Sequence, residues 1–198
     1  MNIKKQILIL SLPLTALLFN FSQSKKEEVE PVKTELIEEQ PFDTMMKVLT
    51  HKRCMNCHPS GDKPRQGEDS HFHNFGVKRG PDDHGHPAAK CSTCHQSKNN
   101  DNSGVPGAPH WGLAPLSMAW EGKSRVEIAK IILDKSRNGN KSVKEIEKHL
   151  TEDDLVLWAF EPGINANKEE REKPPVSKED FIVAVKTWIA DGAQIPEE

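Results

Sequence analysis

The chain has few of the residues from which a large side-chain core is built. Hydrophobic residues make up 35% of its 198 residues, aromatic residues only 6%, and tyrosine is absent. Positive charge is not in excess either, because the formal net charge is −3, and a protein that binds nucleic acid presents a basic face. No stretch alternates polar and apolar residues as a β-strand does. The composition therefore predicts a small helical core in a protein that does not bind nucleic acid.

There are only four cysteines, and all of them lie in two copies of one motif. The sequence reads CMNCH at 54–58 and CSTCH at 91–95, so both copies are C-x-x-C-H. This is the attachment signature of c-type haem: the two thiols add to the vinyl groups of one porphyrin, and the histidine becomes the proximal iron ligand. We therefore predict two covalently attached haem c groups, which can also replace part of the missing apolar core. The predicted attachment residues are Cys54, Cys57, His58, Cys91, Cys94 and His95.

Three other uses of paired cysteines remain as alternatives. Two C-x-x-C pairs can hold one structural zinc ion, although such a site does not need a histidine after each pair. A thioredoxin-like redox pair is expected in a βαβ context, which this sequence lacks. Structural disulfides are the third alternative. Once two haems are attached, no cysteine is left for a disulfide or a lipid anchor.

The first 24 residues are typical of a secretory signal peptide. Lys4 and Lys5 precede a mostly apolar stretch at 7–21, and small residues follow at 22–24. An uncleaved membrane anchor is the alternative, but this stretch is shorter than the roughly 20 residues of a spanning helix, and Pro13 interrupts it. We predict an exported, periplasmic protein, which is membrane-associated if the N-terminus is retained. Residues 25–40 are rich in Glu and Lys and predict a flexible charged tether, and 41–198 form the predicted dihaem domain.

Helical periodicity and capping signals predict an all-α fold. A first helix from Asp43 to about Arg53 leads directly into the first motif. Three more helices are predicted to start at Ser124, Ser142 and Ser177, because an acidic residue follows each serine after three positions.

Two long segments without periodicity, 60–89 and 99–117, are rich in glycine or proline. Loops of this length are unusual unless they have a function, and we expect them to wrap around haem. Cys54 and Cys91 lie only 37 positions apart, which is too short for two separate single-haem domains. The two haems are therefore predicted to share one domain and to lie close together, where electrons pass between them quickly.

The sixth ligand of each iron decides the reduction potential, since a His/His iron has a lower potential than a Met/His iron. His73, beside Phe72 and Phe75, and His110, beside Trp111, are the preferred candidates. The alternatives are Met118, His71, His84 and His86. Of the remaining histidines, His51 is expected to pack or to form hydrogen bonds, and His149 is expected to be exposed.

Several of these segments also carry a resemblance. The residues 42–59, the sequence GEDSH at 67–71, the second motif, and 104–121 with APHW at 108–111 resemble a group of small bacterial dihaem cytochromes that are often labelled isoquinoline 1-oxidoreductase subunit. The closing WIADGA at 188–193 is similar to the last helix of class I cytochromes c. The resemblance implies a haem subunit or carrier that accepts electrons from an exported molybdenum hydroxylase. The sequence itself contains no cysteine set for an iron–sulfur cluster and nothing that binds a pterin.

We therefore expect an exported dihaem cytochrome that accepts electrons from a periplasmic dehydrogenase or molybdenum hydroxylase and passes them to an acceptor protein. On this interpretation the protein is an electron carrier or electron-transfer subunit, with no substrate pocket of its own. The alternative is a dihaem peroxidase, which needs one iron with an open sixth position and distal acid and base groups. Dihaem peroxidases as a family are longer and have more widely spaced motifs.

Overall fold

A computed structural model describes residues 39–197, which belong to one compact unit, Glu38–Glu198. The predicted signal peptide, 1–24, and nearly all of the predicted tether, 25–40, lie outside the described residues. None of the helices within 39–197 is long and apolar enough to cross a membrane.

Six α-helices form most of the regular structure. They are α1 (Pro41–Leu49), α2 (Lys52–Met55), α3 (Arg125–Leu133), α4 (Val143–Glu152), α5 (Asp154–Leu157) and α6 (Lys178–Ala190). Short 3-10 turns occur at Asn74–Gly76, Cys91–Thr93, Leu116–Met118 and Trp158–Phe160. The long stretch between α2 and α3 contains both predicted haem-wrapping loops.

Two short antiparallel hairpins interrupt that stretch. β1 (Arg65–Gln66) pairs with β2 (His71–Phe72), and β3 (Gly85–His86) pairs with β4 (Ala89–Lys90). The sequence predicted no strand, because strands of two residues are too short to produce a detectable alternating pattern. The described part of the chain is thus partly helical with two small hairpins, a mixed structure rather than a clearly all-α one as predicted.

The predicted first helix is divided into α1 and α2. The hydroxyl of Thr50 donates to the carbonyl oxygen of Met46 at 2.6 Å, and α1 ends there. His51 then begins α2, because its Nδ1 accepts a hydrogen bond from the backbone N–H of Arg53 at 3.3 Å. The first motif therefore lies on a separate helix whose N-cap is His51, three residues before Cys54.

The hydrophobic core lies where α1, α4 and α6 meet. α1 packs mainly on α6, which also contacts α4. Met45 of α1 and Phe181 and Val185 of α6 are fully buried. Cys54 and Met55 lie against the edge of this cluster, so the first motif is attached to the best-packed part of the molecule.

The start of α4 offers a direct test of the predicted capping signals. Ser142 Oγ accepts from the N–H of Glu145, and the Glu145 carboxylate accepts from the N–H of Ser142 at 2.8 Å. We expect Ser142→Ala to lower the free energy of unfolding by about 1 kcal/mol, because backbone donors of the first turn lose their acceptor. Urea denaturation measures this loss. Lys144→Ala, in the same turn but outside the cap, is the control, and an equal loss in both variants would contradict the assignment.

Candidate functional site

The first C-x-x-C-H motif continues the helical turn of α2. The N–H of Cys57 donates to the carbonyl oxygen of Cys54 at 3.1 Å, and the N–H of His58 donates to that of Met55 at 3.0 Å. These hydrogen bonds hold the two cysteines and the histidine within one and a half turns of helix. This is the compact arrangement that attachment to a single porphyrin requires.

The ring of His58 is fixed by residues about sixty positions away in the chain. Its Nδ1 lies 2.7 Å from the carbonyl oxygen of Met118, and the ring stacks on Trp120 with centroids 3.5 Å apart and planes 11° apart. A carbonyl oxygen can only accept, so Nδ1 carries the hydrogen and Nε2 keeps its lone pair. Burial lowers the pKa of His58 to about 4, so the ring is neutral at pH 7. A neutral imidazole whose Nδ1–H is hydrogen-bonded is the form that binds a metal ion through Nε2.

His95 of the second motif is held in the same way. Its Nδ1 donates to the carbonyl oxygen of Pro106 at 2.8 Å, and its ring stacks on Trp111 with centroids 4.6 Å apart and planes 8° apart. Burial lowers the pKa of His95 below its ordinary value. Gly107 is required here, because a Cβ at this position would meet the carbonyl oxygens of Gln96 and Lys98. The two motif histidines therefore have the same tautomer and the same kind of aromatic support.

One stretch of chain provides the partners of both histidines. Residues 106–120, which we call the support segment, include Pro106 and Trp111 beside His95 and Met118 and Trp120 beside His58. Between these points, the N–H of Ala114 donates to the carbonyl oxygen of Cys57 at 3.0 Å. The support segment thus connects the two motifs, and it overlaps most of the predicted loop 99–117.

His73, a predicted sixth ligand, lies beside the ring of His95. The two ring centroids are 6.0 Å apart and the ring planes are 70° apart. Two imidazoles on opposite sides of one metal ion have centroids about 6 Å apart, since each metal–nitrogen bond is about 2 Å long. The Nδ1 of His73 donates to the carbonyl oxygen of Asn74 at 2.8 Å, which again leaves Nε2 with its lone pair.

The other predicted sixth ligands are placed differently. His71 uses both ring nitrogens, with Nδ1 2.6 Å from Asp69 and Nε2 3.1 Å from Gln66. His86 and His110 are exposed, and His110 has a φ of 57°, next to the residue that stacks on His95. The structure therefore brings His73, but not His110, into a ring contact with His95 within the described residues.

Two further candidates belong to the surroundings of the motifs. His84 donates from Nδ1 to the carbonyl oxygen of Trp111 at 3.1 Å, and Gly112 leaves room for the His84 ring, which a Cβ would meet. The carbonyl oxygen of Met118 is the partner of His58 Nδ1, and its side chain lies against the hydrophobic core. Met118 therefore orients the ring of His58 through its backbone carbonyl oxygen.

The four cysteines form no disulfide with one another. Burial raises the pKa of Cys54 to about 12 and that of Cys57 to about 11, and it also raises the pKa of Cys91. A redox-active pair needs an accessible thiolate, so these pKa values do not favour that alternative. Cys91 contributes to the raised pKa of Cys57, which means that the two motifs are close to each other.

Three buried hydrogen-bond donors near the first motif have no partner among the described atoms. They are Nε of Arg65, Nε of Arg79 and Nε1 of Trp120. Trp120 stacks on His58, and Arg79 is close enough to lower the pKa of His58. An unpaired buried donor costs about 1–3 kcal/mol, so three of them together indicate a ligand that brings acceptors. Haem has two carboxylates, and the donor set fits it. The fourth unpaired atom is the acceptor Oδ1 of Asn56, within the motif.

Residues 39–197 contain no group of three or more His, Cys, Asp or Glu side chains arranged to hold a metal ion. A haem iron needs only two protein ligands, one on each side. Comparison of the chain with protein families, curated proteins and solved structures finds no match. The functional interpretation therefore rests on the two motifs and on the contacts around them.

Sequence reasoning did not find the backbone carbonyls that orient His58 and His95. Any residue supplies a backbone carbonyl oxygen, so the sequence outside the motifs gives no signal for the carbonyl groups that orient the two rings. His149, which was expected to be exposed, is exposed in the structure, and its Nδ1 lies 3.2 Å from the carboxylate of Asp153 four positions later.

Proposed function

We propose that the protein is an exported dihaem c-type cytochrome that transfers electrons between partner proteins. The observation that carries the proposal is the matched state of the two motif histidines, each with Nδ1–H bonded to a carbonyl oxygen and Nε2 available. The alternative zinc site made of the two C-x-x-C pairs needs no histidine, and neither does a disulfide. A haem iron supplies one-electron chemistry by changing between its ferrous and ferric states.

In this proposal the residues of each motif hold one haem. Cys54 and Cys57 attach the first and His58 is its proximal ligand. Cys91 and Cys94 attach the second, and His95 and His73 bind its iron from opposite sides, which the centroid distance of 6.0 Å supports.

The second haem would then be a His/His haem with no open position for a substrate. Its iron ligands are held in place by carbonyl oxygens and by Trp111, which itself contacts Trp158 at 4.9 Å between centroids. Rigid ligands keep the iron geometry the same in both oxidation states and so favour fast electron transfer. This supports a carrier over a peroxidase for the second haem.

Buried cations and an indole would hold the carboxylates of the first haem. Arg79 is 6% exposed and binds the carboxylate of Asp83 and the carbonyl oxygen of Gly61. These contacts fix the guanidinium group, and its Nε–H has no hydrogen-bond partner among the described atoms. The class I cytochrome-like fold, the periplasmic location, and the electron donor, a dehydrogenase or molybdenum hydroxylase, come from the sequence patterns and the resemblance. They remain parts of the proposal.

The test uses the full chain, expressed in a bacterium that matures c-type cytochromes. We expect the periplasmic fraction, or its membranes if the N-terminus is retained, to contain a protein whose mass includes two haems. Its oxidised and reduced spectra should show two low-spin irons that bind neither cyanide nor carbon monoxide. Absence of haem would contradict the proposal. A high-spin iron that turns over peroxide would favour the dihaem peroxidase instead.

The role of His73 can be tested against a neighbour in the same hairpin region. We expect His73→Ala to convert one of the two irons to the high-spin state, because the second iron loses its sixth ligand. His71→Ala, two positions away and with both ring nitrogens otherwise engaged, should keep both irons low-spin. Electron paramagnetic resonance of the oxidised proteins measures both. Unchanged spectra for His73→Ala would show that the assignment is wrong.

A further inference from the structure

One peptide group, the one between Pro106 and Gly107, orients His95 of the second motif. Its carbonyl oxygen, on Pro106, accepts the hydrogen bond from His95 Nδ1 at 2.8 Å. Its N–H, on Gly107, lies in the same plane and points in the opposite direction. That N–H donates to Oδ1 of Asn99 at 3.0 Å. Asn99 therefore holds the peptide group that holds His95.

The same oxygen atom of Asn99 also fixes the aromatic support of His95. It accepts a second hydrogen bond, from Nε1 of Trp158 at 2.8 Å. The ring of Trp158 meets that of Trp111 edge to face, with centroids 4.9 Å apart and planes 85° apart. Trp111 in turn stacks on the ring of His95. Both supports of His95, the carbonyl oxygen and the indole, are thus connected to Oδ1 of Asn99.

The partners of Asn99 determine which way its side-chain amide points. A backbone N–H and an indole N–H can only donate, so the atom that faces Gly107 and Trp158 is the oxygen. On the other side, Nδ2 donates to the carbonyl oxygen of Glu161 at 2.9 Å, and a carbonyl oxygen can only accept. All three hydrogen bonds require this one orientation.

Two glycines allow the backbone to approach this amide closely. Gly163 has a φ of 68°, and a Cβ there would lie 2.8 Å from Asn99 Nδ2. A Cβ at Gly107 would lie 2.3 Å from the carbonyl oxygen of Lys98, the residue before Asn99. The chain is therefore built closely around Asn99 on both sides.

The hydrogen bond from Gly107 to Asn99 affects the electronic state of His95 as well as its position. Hydrogen bonds in a chain polarise one another, so the bond at the N–H makes the Pro106 carbonyl a better acceptor. A better acceptor at Nδ1–H raises the basicity of Nε2. A more basic axial ligand stabilises ferric over ferrous iron and so lowers the reduction potential.

The corresponding peptide group at the first motif is held in a different way. Its carbonyl oxygen, on Met118, accepts from His58 Nδ1. Its N–H, on Ala119, donates at 3.2 Å to the backbone carbonyl oxygen of Leu116 and not to a side chain. An effect of Asn99 is therefore specific to the second motif.

We propose that Asn99 is a positioning residue for His95, acting through the peptide group between Pro106 and Gly107, and that it keeps the reduction potential of the second haem low. The inference rests on the proposed function, because it takes His95 as the proximal ligand of that haem. Asn99 itself contacts neither the iron nor its ligands through a bond of its own side chain to them.

The experiment is a spectroscopic redox titration of the full, haem-loaded chain and of its single variants. We expect Asn99→Ala to raise the potential of one haem and to leave the other unchanged, with two low-spin irons in the electron paramagnetic resonance spectrum. The shift should correspond to about a tenfold change in the ratio of ferrous to ferric iron at a fixed ambient potential. Loosening of the structure alone would admit water, which stabilises the more highly charged ferric iron, and would lower the potential instead.

Asn100→Ala is the matched control in the adjacent position. Oδ1 of Asn100 accepts from the N–H groups of Asn102 and Ser103 within its own turn, so both potentials should keep their wild-type values. A second pair of variants separates the acceptor from charge. Asn99→Asp keeps an acceptor for Gly107, and a stronger one, so it should lower the potential of the same haem by more than Asn100→Asp does.

The inference fails if Asn99→Ala leaves both potentials unchanged or lowers one of them, or if Asn100→Ala produces the same upward shift. Equal shifts in Asn99→Asp and Asn100→Asp would also contradict it. A wild-type protein without haem would instead overturn the proposed function, so the two failures are distinguishable.

Discussion

The Cys54→Ala/Cys57→Ala variant will carry one haem per chain instead of two, and its folded yield will fall sharply. The first motif lies against the hydrophobic core, so the first haem is expected to complete that core. A covalently attached haem stays on the unfolded chain, but only the folded state buries its apolar faces, so removing the haem removes this stabilisation. Mass spectrometry of the exported protein gives the haem count, and thermal unfolding followed by circular dichroism gives the stability.

Cys91→Ala/Cys94→Ala is the matched variant. It should also carry one haem, but with a smaller loss of stability, because Cys94 is exposed and the second motif lies in the loop region outside the helical core. Two attached haems in either double variant would show that the motifs do not attach haem. A larger loss of stability in the second variant would contradict the location of the first haem at the core.

Phe181→Ala will lower the free energy of unfolding by about 3–5 kcal/mol. Phe181 is 0% exposed in α6 and packs on Phe160 with ring centroids 5.4 Å apart. Replacing this ring by a methyl group leaves a cavity between α6 and its neighbours, and the loss is a large part of the 5–15 kcal/mol that typically stabilises a domain. Chemical denaturation of the haem-loaded protein measures it.

Val183→Ala tests whether the effect comes from burial. Val183 lies two residues away in the same helix and is 62% exposed. Its truncation should change the free energy of unfolding by no more than about 0.5 kcal/mol. Similar losses in both variants would mean that Phe181 does not occupy the core position described.

The features of the fold that are determined by residues close together in the sequence were predictable. The starts of α3, α4 and α6 were found because a capping serine and an acidic residue three positions later act within one turn. The end of α3 was not predicted correctly: the sequence Asn138-Gly139 is a typical helix stop, and from the sequence it is expected to end this helix. The helix ends at Leu133, where the Asp134 carboxylate accepts from the N–H and hydroxyl of Ser136 and competes with the helix.

The candidate site was predictable only as far as its motifs. Cysteine and histidine spacing points to Cys54 to His58 and Cys91 to His95, because haem attachment would need these residue types at this spacing, and the attachment itself stays a prediction. In the proposed site, the partner across the iron would come from a distant segment, and the sequence offers several loop histidines for it. His73 was included for its aromatic neighbours, and its contact with the ring of His95 becomes visible only in the fold.

In the proposed dihaem protein, the support segment, residues 106–120, would couple the maturation of the two sites. Ordering a backbone costs about 1–2 kcal/mol per residue, and this stretch must be ordered whichever histidine, His58 or His95, it supports. The attachment that comes first would bear that entropy cost and the second would find the segment already in place, so we expect loading to be cooperative. A cell short of haem would then accumulate chains with both haems or with none, and few half-loaded ones. The same stretch of chain that orients two iron ligands would thereby set the stoichiometry of the finished protein.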